Sequence, residues 1–215
     1  MMTPMMTPRL RTFALTAHVT SSVGWLGAVA SFLVLGIAGL TSHDAGIVRG
    51  AYLAMNLIGQ FIIVPLSLAA LVTGLVQSLG TRWGLFRYYW VLVKFTLTIG
   101  ATVLLLLHQF TAVAGAAKRV SEAGAGTLPD VGRLGTQLVG DAALAVLVLL
   151  VATTLSLYKP WGRTAYGLRI LENSGDATSV AGPFAGTGKT YALVGGGLVL
   201  LLAILHLTGV VGGQH

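Results

Sequence analysis

Long stretches of this chain contain no charged side chain. Residues 12–40 and 50–79 carry no Asp, Glu, Lys or Arg. A helix needs about 20 consecutive apolar residues to cross the hydrocarbon core of a bilayer, and both runs exceed that. In lipid, only a helix or a closed barrel satisfies every backbone N–H and C=O internally, and uninterrupted apolar runs specify the helix. Three further segments qualify, at 88–114, 138–158 and 190–211. The expected fold is therefore all-α: one polytopic membrane bundle domain over residues 1–215, with about five transmembrane helices at 12–40, 50–79, 88–114, 138–158 and 190–211. Several spans are longer than a bilayer needs, so tilt or extension beyond the membrane is expected. Pro65 and the glycines within them are acceptable in membrane helices.

Composition excludes the soluble alternatives. Only 9% of the residues are charged, against about 25% in an average soluble protein, too few to cover a water-facing surface. With no cysteine, disulfides, zinc–thiolate sites, iron–sulfur clusters and thiol catalysis are ruled out. The net charge of +7 would suit nucleic acid if it formed a patch. The basic residues instead fall in short connections between apolar runs, where they set topology and meet lipid headgroups. The expected partner is the lipid bilayer and not nucleic acid, and long glycine-bearing helices could also pack as a homo-oligomer.

Orientation follows from lysine and arginine. One side of the membrane receives Arg9, Arg11, Arg82, Arg87, Lys159, Arg163, Arg169 and Lys189; the other receives Arg49, Lys118, Arg119 and Arg133. Eight against four places the N-terminus in the cytoplasm and the C-terminus outside. Trp83, Tyr88, Tyr89 and Trp90, with Tyr158 and Trp161, fall at the cytoplasmic interface as aromatic anchors. Arg9 and Arg11 before an apolar run resemble a signal peptide, and Ala28-Val29-Ala30 a cleavage site, but the run continues to Leu40 without a polar mature start. An uncleaved first helix is the better reading. The tandem Met-Met-Thr-Pro at the N-terminus has copper(I)-binding chemistry, although a duplicated start is the simpler account.

Two longer connections, 111–137 and 159–189, are rich in small residues and read as irregular loops. The second contains Gly186-Thr187-Gly188-Lys189-Thr190. A phosphate loop would need glycine where Pro183 stands, and a preceding strand, so that reading is rejected.

Polar groups within the spans are costly, which makes each a functional candidate. His18 and Lys94 each lie seven residues, about 10 Å of helix, beyond a basic flank at Arg11 or Arg87. His18 shares a helical face with Ser21, Ser22 and Trp25. Lys94 could snorkel to the interface. His108 and His206 lie at similar depth nearer the opposite side, with Asn56 and Gln60 one turn apart on the second span and Gln109 and Asp141 nearby. His108 follows Lys94 by fourteen residues, nearly the same face about 21 Å along, so the third span is expected to present both to one neighbour. Histidines on different helices at one depth can supply two axial ligands to a haem. Such ligands need a neutral imidazole and a partner for the second ring nitrogen, for which Asn56, Gln60 or Asp141 would serve. Gly195, Gly196 and Gly197 would allow close approach of a helix or a ring. The same histidines could relay protons, bind a metal ion, or each make one interhelical hydrogen bond. His43 and His215 read as solvated. No Ser/His/Asp set, paired catalytic carboxylates or zinc signature is present, so hydrolytic chemistry is poorly supported.

From His18 the chain reads His-Val-Thr-Ser-Ser-Val-Gly-Trp-Leu-Gly. A first-helix histidine, a tryptophan seven residues on, then a glycine, resembles three related bacterial membrane groups: the copper-resistance D-type proteins, the HemJ-type protoporphyrinogen oxidases, and an uncharacterised family known as a domain of unknown function. Trp90-Val-Leu-Val-Lys94 followed by His108 extends the likeness, although the spacing in HemJ-type proteins is shorter. The resemblance covers about the first 110 residues, and the uncharacterised family is nearest in texture. It implies a bacterial inner-membrane protein, with b-type haem as cofactor, a redox or porphyrin-related role, and His18 as ligand. That competes with the pairing of His108 and His206 by depth. The rival expectations are a non-enzymatic accessory or scaffold protein and a small metal or solute transporter. Copper transport would want a methionine or histidine ladder through the bundle, and Met55 is the one methionine beyond position 6.

Overall fold

A computed structural model describes residues 6–80, 85–124, 126–158, 164–167 and 169. The expected span at 190–211, with His206 and its glycines, lies outside the described residues, as does most of the connection at 159–189. The described residues are helical and contain no strand. Four helices are long and apolar enough to cross a membrane: α1, Pro8–Thr41; α2, Ala45–Gly80; α3, Tyr89–Glu122; and α4, Gly132–Tyr158. The chain is an all-α, multi-pass membrane protein.

These helices are longer than the apolar runs alone indicate. α1, α2 and α3 contain 34, 36 and 34 residues, about 50 Å each at 1.5 Å per residue, against a hydrocarbon core of about 30 Å. The main difference concerns 111–137, expected as a loop. α3 continues through it to Glu122 and α4 begins at Gly132, leaving a short connection. Several of its polar residues lie on helical turns: Lys118 pairs with Glu122 four residues on, at 3.8 Å. The arginine Arg49 donates to the carbonyls of Ala123 (2.7 Å) and Gly124 (3.1 Å), satisfying acceptors where α3 ends. The turn before α2 is equally well specified. Asp44 caps it, its Oδ1 accepting from the amides of Gly46 (2.7 Å) and Ile47 (3.0 Å).

Burial follows helical spacing. On α1 the buried positions are Ala14 and then Ser21, Trp25, Val29, Phe32, Gly36 and Gly39, the last six separated by steps of three or four. The other faces are apolar but exposed: Phe13 is 71%, Phe110 70% and Leu157 74% accessible. Large hydrophobic side chains facing outward on every helix are the inverse of a soluble core and suit a lipid surround.

α2 and α3 each contain one π turn, at Gly59–Ile63 and Gln109–Val113. On α2 the amide of Val64 reaches back five residues to the Gly59 carbonyl. The buried residues Met55, Gly59, Ile63 and Ser67 step by four. In a pure α-helix each such step drifts about 40° around the axis, and the wide turn takes up part of that drift and keeps the stripe on one face.

The contacts group the chain into two compact units. One draws on the described residues within 1–18, 71–100 and 151–215, the other on 19–70 and 101–150. In the first, Leu85, Trp90 and Val91 form the core, with Leu75, Tyr88 and Phe95 against them. Thr164 is tied in through its amide to the Arg87 carbonyl at 2.9 Å. In the second, Trp25, Phe32, Tyr52, Met55, Val120 and Leu138 anchor a larger core. There α1 and α2 run antiparallel: Gly24 opposes Leu66, Gly36 opposes Met55 and Gly39 opposes Tyr52.

Gly39 is required by that approach. A Cβ there would stand 2.9 Å from Cε2 of Tyr52, a side chain only 1% exposed and unable to yield. Gly27, on the same helix, has nothing within 4 Å of a Cβ. Gly39→Ala is expected to destabilise the folded protein by about 1–3 kcal/mol through overpacking, and Gly27→Ala to be neutral or slightly stabilising. Thermal melts of the two variants in one detergent check this; equal melting temperatures would contradict the packing described.

Candidate functional site

Among the described residues, each unit contains one histidine-centred polar site. In the first unit it is built by α1, α2 and α3. His18 comes from the inward stripe of α1, where it is half-buried. Its Nδ1 lies 3.1 Å from Oγ1 of Thr73 on α2. Its Nε2 lies 3.4 Å from Nζ of Lys94 on α3. An ammonium has only protons to offer, so Nε2 accepts from Lys94, and Nδ1 carries the ring proton and donates to Thr73. Lys94 therefore does not simply snorkel to the interface; its head is turned to His18, where an acceptor offsets part of the cost of burial. One turn along α2 from Thr73, Gln77 donates from Nε2 to the Ala14 carbonyl at 2.8 Å. Gly74 makes room for the imidazole: a Cβ there would stand 3.1 Å from His18 Cε1.

The second unit holds His108, the last residue of α3 before its π turn. Its Nδ1 is 2.8 Å from the carbonyl of Leu104, one turn back on the same helix. A carbonyl can only accept, so Nδ1 carries a proton and the remaining lone pair lies at Nε2. Nε2 faces α4, 3.2 Å from Oδ2 of Asp141 and 3.4 Å from Nε2 of Gln137. The approach to Asp141 is an ion-pair contact and not an aligned hydrogen bond.

Of the partners expected for His108, Asp141 alone meets it. Asn56 instead pairs with Gln109, whose Nε2 donates to Asn56 Oδ1 (3.2 Å) and to the Asn56 carbonyl (3.3 Å). This clamp joins the two π turns: the acceptor carbonyl precedes one, and the donor opens the other. Gly59 is what admits it, because a Cβ there would overlap Oε1 of Gln109. Gln60 is exposed. Lys94 and His108 also meet different neighbours, α1 in the first unit and α4 in the second, so α3 does not present both to one helix. Ser21 and Trp25 are buried as the α1 stripe requires, and His43 is exposed. Thr73, Gln77 and Gln137 are functional candidates that spacing alone could have found. Thr73 and Gln77 lie four apart on a span, as do Gln137 and Asp141, so each pair shares a helix face.

Among the described residues no three His, Asp or Glu side chains converge as a metal cluster. The fold and these two sites define a multi-pass membrane protein with ionisable groups held within its helices. Compared with protein-family models, curated proteins and solved structures, the chain matches none.

The Asn56–Gln109 clamp is an interhelical hydrogen bond in a membrane span. Asn56→Ala and Gln109→Ala in a double-mutant cycle are expected to show a coupling of about 1 kcal/mol. Reversible unfolding in mixed micelles measures it. Additive effects would mean that the two amides do not depend on each other.

Proposed function

We propose that this chain is a bacterial inner-membrane protein that binds b-type haem through His18 and serves a redox or porphyrin-related role. The supporting observation is the state of the His18 ring. Thr73 holds the protonated Nδ1, and the Nε2 lone pair faces Lys94 at 3.4 Å, a contact that an iron would have to displace. That is the tautomer, with the outer nitrogen oriented by a hydrogen bond, through which histidine ligates a metal. That ring state would suit a haem iron once Lys94 yields Nε2 to it. When bound, haem would supply one-electron chemistry to the site. The residues present would do the rest. His18 would hold the iron, Thr73 would fix the ring's rotation, and Lys94 would set a positive charge nearby, suited to porphyrin carboxylates. The Nε2 of each histidine already faces another group, Lys94 at His18 and Asp141 at His108; the resemblance around the first-helix histidine is what favours His18.

The inner-membrane location, with the N-terminus cytoplasmic and the C-terminus outside, rests on the lysine and arginine asymmetry and on the resemblance around His18. A second reading, a non-enzymatic accessory or scaffold protein, is favoured by the Asn56–Gln109 clamp, in which polar side chains serve only to join helices. Transport of a metal or other solute has no comparable observation behind it.

The test is an optical spectrum of detergent-purified protein, air-oxidised and then dithionite-reduced, from cells supplied with haem precursor. The expected result is a Soret band with sharp reduced bands, lost in His18→Ala and kept in His108→Ala. Loss in His108→Ala alone would move the ligand to the other site. A colourless protein that stays colourless on haem titration would eliminate the redox reading.

A further inference from the structure

We propose that the π turn of α3 is a conditional element, held by the Asn56–Gln109 clamp, and that releasing the clamp turns His108 away from α4. Haem plays no part in this, and the residues that carry it lie in the second unit.

The two π turns have different causes. On α2, Pro65 has no amide proton to give, and its ring crowds the carbonyl four residues back. The wide turn at Gly59–Ile63 ends just before it, as expected where a membrane helix makes room for a proline. α3 has no proline between Tyr89 and Glu122. The Thr111 hydroxyl donates to the Leu107 carbonyl at 2.7 Å. Thr98 makes the same bond to the Lys94 carbonyl at 2.9 Å on a regular α turn, so that bond does not require a wide one. The π turn of α3 therefore draws its support from outside the helix.

That support is Gln109, the first residue of the turn. Its Nε2 donates to Asn56 Oδ1 at 3.2 Å and to the Asn56 carbonyl at 3.3 Å. The side chain is buried and seated against Gly59, where a Cβ would overlap it. In the span no water replaces those acceptors, so Gln109 stays where it can reach them and holds the backbone of the turn with it. Within the turn itself the hold is looser, because the amide of Ala114 is shared between the carbonyls of Gln109 and Thr111.

A π turn contains one residue more than an α turn. The outer end of α3 is locked, with Ala116 and Val120 in the core. Once the clamp opens, the wide turn passes back toward Ala101. Each residue it passes rotates by one residue's share, about 100°, and slides about 1.5 Å. His108 is the first. Its Nε2, which lies 3.2 Å from Asp141 Oδ2 and 3.4 Å from Gln137 Nε2, then leaves α4. Asn56 and Gln109 are thus positioning residues for His108, and a group that competes for their amides acts on His108 without touching it.

The chain has no cysteine, so a pair of introduced thiols reports on one place. The experiment uses full-length protein in lipid nanodiscs and a membrane-permeant bifunctional thiol reagent, and reads the rate of cross-linking. His108→Cys with Gln137→Cys reports the face that α3 turns to α4 at His108. Gly115→Cys with Leu134→Cys, where a Cβ at Gly115 stands 4.0 Å from the Leu134 side chain, reports the outer packing of the same two helices. Gln109→Met is expected to slow the first pair about fivefold, the ratio that one interhelical hydrogen bond in a span sustains, and to leave the second unchanged. Asn56→Leu, which keeps the carbonyl acceptor, should slow the first pair less. Deleting the lipid-facing Phe110 takes the surplus residue out of the turn and should restore the first pair in the Gln109→Met protein. An unchanged first pair, or equal slowing of both pairs, would overturn the proposal. So would a deletion that keeps the second pair and fails to restore the first. A deletion that also abolishes the second pair has not folded, and the Gln109→Met rates then decide alone.

Discussion

The hydrocarbon of a bilayer offers no water to a polar group, and every other feature of this chain follows from that. A backbone with nothing outside itself to bond must be helical, and here the long apolar segments are helices with outward-facing hydrophobic side chains. The same constraint acts on side chains. A charged or amide group at depth costs several kcal/mol unless it finds a partner, so it must lie on an inward face opposite a complementary group. Lys94 facing His18, His108 facing Asp141 and Gln109 facing Asn56 are three solutions to one problem.

Those solutions depend on close approach, and the chain has two means of achieving it. Small residues remove bulk: Gly39 admits the Tyr52 ring, Gly59 the Gln109 amide and Gly74 the His18 ring. The π turns change angle. An extra residue in one turn shifts the following face, and two such turns on α2 and α3 accompany the polar clamp between them. Wide turns are costly and recur near functional positions. The one on α3 follows His108 directly.

The two histidine sites share a logic and differ in consequence. In both, Nδ1 is held by a hydrogen bond that sets the tautomer, and the partner of Nε2 then decides the chemistry. At the first site that partner is a lysine ammonium, at the second a carboxylate, so the two rings face charges of opposite sign. Neighbouring polar side chains refine each: Thr73 at the first, Gln137 at the second.

Much of the fold was legible in the sequence, because charge-free runs and the absence of an alternative backbone solution in lipid leave little choice. Helix lengths were less legible. The segment 111–137 reads as loop by composition, but helices that leave the bilayer turn polar and remain helical, as Lys118 and Glu122 do on consecutive turns. His18, Lys94, His108 and Asp141 stood out as ionisable residues in apolar runs, a property of sequence alone. Their pairing did not, since depth and helical phase do not say which neighbour a face meets. Depth placed Asn56 and Gln60 beside His108, while the structure gives Asn56 to Gln109 and leaves Gln60 exposed. The sequence by itself determined that these residues lie in a membrane and need partners, because the cost of burying them is local. Only the tertiary structure decided which partner each one has, because that depends on side-chain reach, on where glycine allows two helices to touch, and on turns whose phase the apolar pattern does not record.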